Sequence, residues 1–211
     1  MDHPNCAHCG AHSCEAEPGT TAYPVSCPMV VPEETLGAAR EHYQEPAERA
    51  MAQAAAQTEA TGYCRETRVE EVMSFARRLG ARRLGLAFCI GLSREAAVAA
   101  EILESHGFEV VSACCKVGAI PKEEIGLTDD DKIHPGQYEA LCNPIGQAML
   151  LNEAATDLNV VVGLCVGHDS LFFRHSQAPV TVLVAKDRVL GHNPVAALYT
   201  SRSYYRRLRK S

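Results

Sequence analysis

The 211-residue chain predicts an α/β fold: a mainly parallel sheet of four or five strands with helices on both faces, a Rossmann-like three-layer arrangement, preceded by a small Cys-rich head and a helical arm. Three observations predict it. Short runs of Val, Leu and Phe with little polar alternation recur along the second half of the chain, the pattern of strands covered on both faces. Segments with apolar residues at helical spacing separate those runs, and that alternation is the mark of parallel strands joined by helical crossovers. The first thirty residues show neither pattern and carry cysteines, histidines and prolines instead.

Residues 1–32 hold four cysteines, three histidines and five prolines with little apolar periodicity, too little oil to order a chain against its entropy. Residues 33–60 are rich in Ala, Glu and Gln and read as a helical arm, with Pro46 opening a second helical piece. An α/β domain is expected over 61–211. In it, Val69, Val72, Met73, Ala76 and Leu79 mark an amphipathic helix ended by Gly80. Arg83–Cys89 reads as a strand, Ser93 caps a helix through Ala96, Ala97, Ala100 and Leu103 to Gly107, and Phe108–Cys115 is a second strand. After a long polar loop, Pro144 opens a helix through Ala148, Leu151 and Ala155 that leads into the strand Leu158–Cys165. Asp169 or Ser170 is expected to cap a short helix to about His175. Val180–Ala185 is the last strand, and Pro194 starts a final helix toward Ser201.

Hydrophobic residues make up 46% and charged residues 22%, which is ordinary globular composition, and the net charge of -6 offers no cationic field for a phosphate backbone. Nucleic acid is therefore not an expected partner, and the basic stretch Arg206, Arg207, Arg209, Lys210 reads as a solvated tail. No apolar run reaches the roughly 18 residues that span a bilayer, and no signal-peptide pattern opens the chain, so neither a membrane nor a secretory route is expected. In the cytoplasm, the expected compartment, ten cysteines are metal ligands, reactive thiols or small core residues rather than a disulfide framework. Walker, Gly-x-Gly-x-x-Gly and Gly-x-Ser-x-Gly motifs are all absent from the sequence.

Cys6, Cys9, Cys14 and Cys27 are the primary candidate ligands, spaced by two, four and twelve residues, with Pro28 directly after the fourth. Four thiolates satisfy a closed tetrahedral zinc site and equally a four-cysteine iron–sulfur cluster, and spacing leaves both open. His3, His8 and His12 are alternative ligands, and Gly10 is expected to supply a left-handed turn that aims N–H groups at sulfur. A second constellation lies where the strands end. Cys89, Cys114, Cys115 and Cys165 share one edge of a parallel sheet, the edge at which open α/β sheets bind ligands. Cys64, Cys142 and His168 are placed to join them as a second metal or cluster site or as a redox thiol pair. The competing reading is core packing, since cysteine is often buried as a small hydrophobe. Lys186, His192 and Asn193 follow the last strand and are expected to reach the same edge, and the loop Lys116 to Gly136 leaves it.

Several stretches resemble the prokaryotic family known as domain of unknown function 1847. These are Asn5-Cys6-Ala7-His8-Cys9, Ser26-Cys27-Pro28-Met29, Gly62-Tyr63-Cys64-Arg65-Glu66, Phe88-Cys89-Ile90-Gly91-Leu92, Cys114-Cys115-Lys116-Val117-Gly118, Cys142-Asn143-Pro144, the run 159–170 and the run 185–194. The resemblance implies metal binding and assigns no reaction. The expected function is a zinc or iron–sulfur protein. Its rivals are a thiol-dependent or iron–sulfur redox enzyme that acts on a small molecule with a redox partner, and a zinc-stapled sensor or interaction module without catalysis.

Overall fold

The structure, a computed structural model, describes residues 5–25, 27–30 and 33–209. His3 and Lys210 lie outside the described residues. The chain divides into two compact units, Met1–Ala56 and Gln57–Ser211.

In the first unit the head forms only single 3-10 turns, at Cys6–His8, Ser13–Glu15 and Pro28–Val30. Helices follow at α1 (Glu33–His42) and α2 (Pro46–Gly62), with Pro46 at the first helical position, where its missing N–H costs nothing. None of the described residues from 5 to 30 is buried.

The second unit holds α3 (Arg68–Leu79), β1 (Arg83–Phe88), α4 (Ser93–Ser105), β2 (Glu109–Cys114), α5 (Pro144–Glu153), β3 (Leu158–Val162), α6 (His168–His175), β4 (Val180–Val184) and α7 (Val195–Tyr199). The four strands form one all-parallel sheet in the order β2-β1-β3-β4. From β1 the chain steps outward through α4 to β2, then crosses back through α5 to β3 on the other side. Right-handed crossovers in opposite directions put α4 on one face and α5 and α6 on the other. Accordingly α4 packs on β1 and β2, while α5 packs on α6 and on the same two strands. The strand order reverses between β1 and β3, the switch point outside whose C-terminal edge open α/β sheets bind ligands.

The strands form where expected because Leu84, Leu86, Val160, Val161 and Val162 are all but excluded from solvent on a sheet covered on both sides. A second apolar cluster joins Met73 and Ala76 of α3 and Leu103 of α4 to Leu84 and Leu158. Thr67 and Glu70 close a capping box at the start of α3, and Gly80, at φ 73, ends it.

Two expected boundaries are corrected. β3 stops at Val162, not Cys165, because Gly163 turns to φ 65 and carries Leu164 and Cys165 out of the sheet. α6 begins at His168 with Gly167, at φ 84, as its N-cap, so neither Asp169 nor Ser170 caps it. Among the described residues no helix is long and apolar enough to cross a membrane.

Candidate functional site

Cysteines gather in two places, one in each unit. In the second unit, Phe88 pairs with Cys114 at the end of the β1–β2 ladder, so the next residues, Cys89 and Cys115, leave the sheet side by side. The backbone ties continue one step further: Cys115 N–H donates to Phe88 O at 2.9 Å and Cys89 N–H to Val162 O at 3.1 Å. Gln147, fully buried on α5, donates its Nε2–H groups to Phe88 O at 3.1 Å and Ala113 O at 2.6 Å, clipping both strand ends. Cys142 reaches the same point from the loop. The N–H of its neighbour Asn143 donates to Cys115 O at 2.7 Å, and the Asn143 side chain caps α5 by accepting from Gly146 N–H at 2.8 Å.

The result is a chain of sulfur contacts. Cys115 neighbours both Cys142 and Cys89 closely enough to shift their ionisation, and His168 neighbours Cys142 in the same way. Cys115 and Cys89 are 2% and 6% exposed, whereas Cys142 is half-buried, so Cys142 is the thiol that solvent reaches. Lys186 Nζ donates to Cys89 Sγ at 3.4 Å. It stands over Gly91, where an added Cβ would come within 3.3 Å of the ammonium. Ile90 N–H donates to Cys115 Sγ at 3.3 Å.

These contacts polarise the three thiols. Cys142 is pushed down to about 4, first by the S–H of Cys115 and then by His168, with the charge of Lys116 adding to both. Cys89 is pushed down to about 5, again first by Cys115, with Gly91 N–H and Lys186 assisting against its burial. Cys115 is pushed up, because it donates to Cys142 and to Cys89 in an apolar setting. It has one proton and serves one neighbour at a time; the central thiol stays protonated between two thiolates held by cations. The imidazole of His168 is pushed up by Cys142, and its Nδ1 is buried without a partner among the described residues.

The other expected members of this site are placed differently. Cys165 is half-buried three residues past β3, and its Sγ accepts from Arg188 at 2.9 Å at the rim of the trio. Cys114, the last residue of β2, packs against the apolar core, as the alternation of a strand requires with Cys115 on the edge. Cys64 is exposed in the α2–α3 link at φ 55, and no hydrogen bond joins it to the trio among the described residues. His192, at φ 64, accepts the Asp187 N–H at Nδ1, and Asn193 N–H donates to Leu190 O, so both shape the turn into α7 rather than meet the thiols. Gln147 and Arg188 were missed; a glutamine on the apolar face of a helix was a usable signal for the first, and the sequence offers none for the second. The loop from Lys116 is stapled by a Pro121–Ala140 bridge and by the Lys122–Glu139 ion pair at 2.7 Å, which delivers Cys142 to the edge in a fixed position.

In the first unit, Cys6, Cys9, Cys14 and Cys27 all line one hollow of about 360 Å³, together with His8 and His12. Gly10 does not take the left-handed conformation expected of it; His12 does, at φ 48. The N–H groups of His12 and then Ala11 bond the Cys9 sulfur and hold its pKa below the ordinary thiol value. Among the described residues no three His, Cys, Asp or Glu side chains close to metal-binding geometry in either unit.

Comparison with known proteins places these features. The model of the family described as a protein of unknown function, DUF1847, matches residues 27–183. The chain belongs to this family. It is also 48% identical over 165 residues to an uncharacterized protein of Methanocaldococcus jannaschii, covering 78% of this chain and 82% of that protein. No solved structure matches. The family match takes in Cys27 and the whole Cys89–Cys115–Cys142 trio with His168, and it begins after Cys6, Cys9 and Cys14.

Proposed function

We propose that this DUF1847 protein is a metal-binding protein whose head holds one zinc ion or one iron–sulfur cluster through Cys6, Cys9, Cys14 and Cys27. One observation carries the reading: four thiols line the same hollow in a segment in which no described residue is buried. A segment without a core has nothing else to order it, and thiolates coordinating one centre supply that order. The donor set fits the group in number and softness, and the N–H groups directed at Cys9 Sγ are the contacts that coordinated thiolates receive. His8 and His12 line the same hollow and stand as alternates for one thiolate. Zinc would supply a structural cross-link and a cluster would supply electron transfer. Ten free cysteines suit a reducing compartment, and we place the protein in the cytoplasm.

The test is elemental analysis with a visible spectrum on protein isolated without oxygen. We expect one stoichiometric zinc and no colour, or iron with a brown charge-transfer band, and loss of that metal when Cys6 and Cys9 are replaced by Ser. Metal-free protein, or metal content unchanged in the double variant, would overturn the reading.

A further inference from the structure

We propose that Cys142 and Cys115 at the sheet edge form a dithiol–disulfide redox couple that reduces small, anionic disulfides, with Cys142 as the attacking thiolate and Cys115 as the resolving thiol. The proposal stands on the second unit alone and does not depend on a metal in the head.

The geometry assigns the roles. Cys142 is the thiol of the trio that solvent reaches, and Cys115, at 2% exposure, lies behind it, with the N–H next to Cys142 donating to Cys115 O at 2.7 Å. Of the three, an incoming disulfide therefore meets Cys142 first, with Cys115 and Cys89 buried behind it. The Asn143 N–H bond to Cys115 O holds the main chains beside the two cysteines together at this point. Cys89 has a different part. Its sulfur leaves the sheet beside Cys115 and accepts from Lys186 at 3.4 Å, so it can take the proton that Cys115 must lose.

The steps balance. The Cys142 thiolate attacks one sulfur of R–S–S–R, the S–S bond breaks, and RS⁻ leaves with its electron pair; Cys142 is now a mixed disulfide. Cys115 passes its proton to the Cys89 thiolate, attacks Cys142 Sγ and expels the second RS⁻. The protein has gained one disulfide and lost two electrons, and the substrate has become two thiols. A dithiol reductant returns the couple by the same exchange in reverse. Lys116, Lys186 and Arg188 surround the trio, and they favour a substrate carrying carboxylates.

The experiment uses full-length protein, reduced, freed of reductant and treated without oxygen with oxidised glutathione as the anionic probe and cystamine as the cationic one, with cysteines mapped by peptide mass spectrometry. In the wild type we expect a Cys142–Cys115 disulfide and two released thiols per chain. Cys115→Ser should stall with one glutathione on Cys142, and Cys142→Ser should leave Cys115 and Cys89 unmodified. Oxidised glutathione should react about tenfold faster than cystamine at low salt, a preference that shrinks as salt is added. In case a Ser variant fails to fold, brief iodoacetamide treatment of the reduced wild type at pH 6 provides an independent reading: Cys142 should be labelled, with Cys115 and Cys89 spared. The couple is overturned if the wild type forms no Cys142–Cys115 disulfide, if the mixed disulfide forms elsewhere, or if metal remains on these three sulfurs after head variants have lost theirs. Equal rates with the two probes would overturn the anionic preference. A metal-free head with an intact couple would sink the head proposal alone.

Discussion

The Cys142 thiol neighbours Cys115 and His168, with Lys116 and Arg188 around it, Cys89 beyond Cys115 and Asp169 beside His168, and the cations outweigh the anions. Thiolate, not thiol, is alkylated, so the rate follows the ionised fraction. Because Cys142 is pushed down to about 4, its alkylation should stay near its plateau from pH 8 to pH 5 and fall only as the pH drops through about 4. A thiol of ordinary pKa, about 8.5, loses about tenfold per pH unit below that value. His168→Gln removes the imidazole that favours the thiolate and should move the Cys142 profile upward without changing which residue is labelled. Stopped-time labelling with mass spectrometry across pH 3–9 checks both, and a Cys142 profile centred near 8.5 in the wild type would refute the polarised trio. His168 was legible as a candidate because it follows Cys165 by three residues, but its partner is Cys142. That pairing depends on where a 26-residue connection returns, which no local pattern encodes.

At the scale of elements, the join between β1 and β3 is tight. Gly85 pairs with Asn159 across the two strands, and a Cβ on Gly85 would sit on Asn159 Oδ1 and 2.9 Å from Leu151 Cδ1 of α5. Asn159 cannot give way freely: it is fully buried, its Oδ1 accepts from Thr156 Oγ1 at 2.8 Å and its Nδ2 donates to Ser176 Oγ at 2.8 Å. Gly85→Ala should therefore destabilise the α/β unit by about 1–3 kcal/mol, the range for forcing extra volume into a packed core. Urea unfolding measures it, and a loss under a few tenths of a kcal/mol would show that the join is looser than described. The strand bodies and the helices between them were legible because burial on both faces demands continuous apolar runs. The strand ends were not. Leu164 and Cys165 look like more of β3, and only the left-handed turn at Gly163 takes them out of it. The need for glycine at 85 was also hidden, since it follows from register with a residue 74 positions away.

At the scale of the molecule, the two units rest on different physics. Gln57–Ser211 has buried apolar clusters on its sheet, whose burial drives its folding. Met1–Ala56 has no buried residue among those described before Ala54, so in the proposed reading the order of its head rests on the centre its four thiols hold. A chelator that strips the proposed centre should therefore act on one unit and spare the other. Limited proteolysis after chelation should cut within residues 5–30 many times faster than before. Thermal unfolding of the α/β unit should keep its midpoint, because metal removal withdraws binding free energy only from the segment that the metal orders. The four cysteines were visible in the sequence, and the absence of a core beneath them was the reason to read them as ligands. Gly10 misled because spacing suggests which residue can turn but not which one does, and His12 makes the turn that brings N–H groups to Cys9. Equal protease sensitivity with and without chelator would show the head to be ordered by something other than a metal. A lowered midpoint of the α/β unit would show instead that its stability is coupled to a metal site.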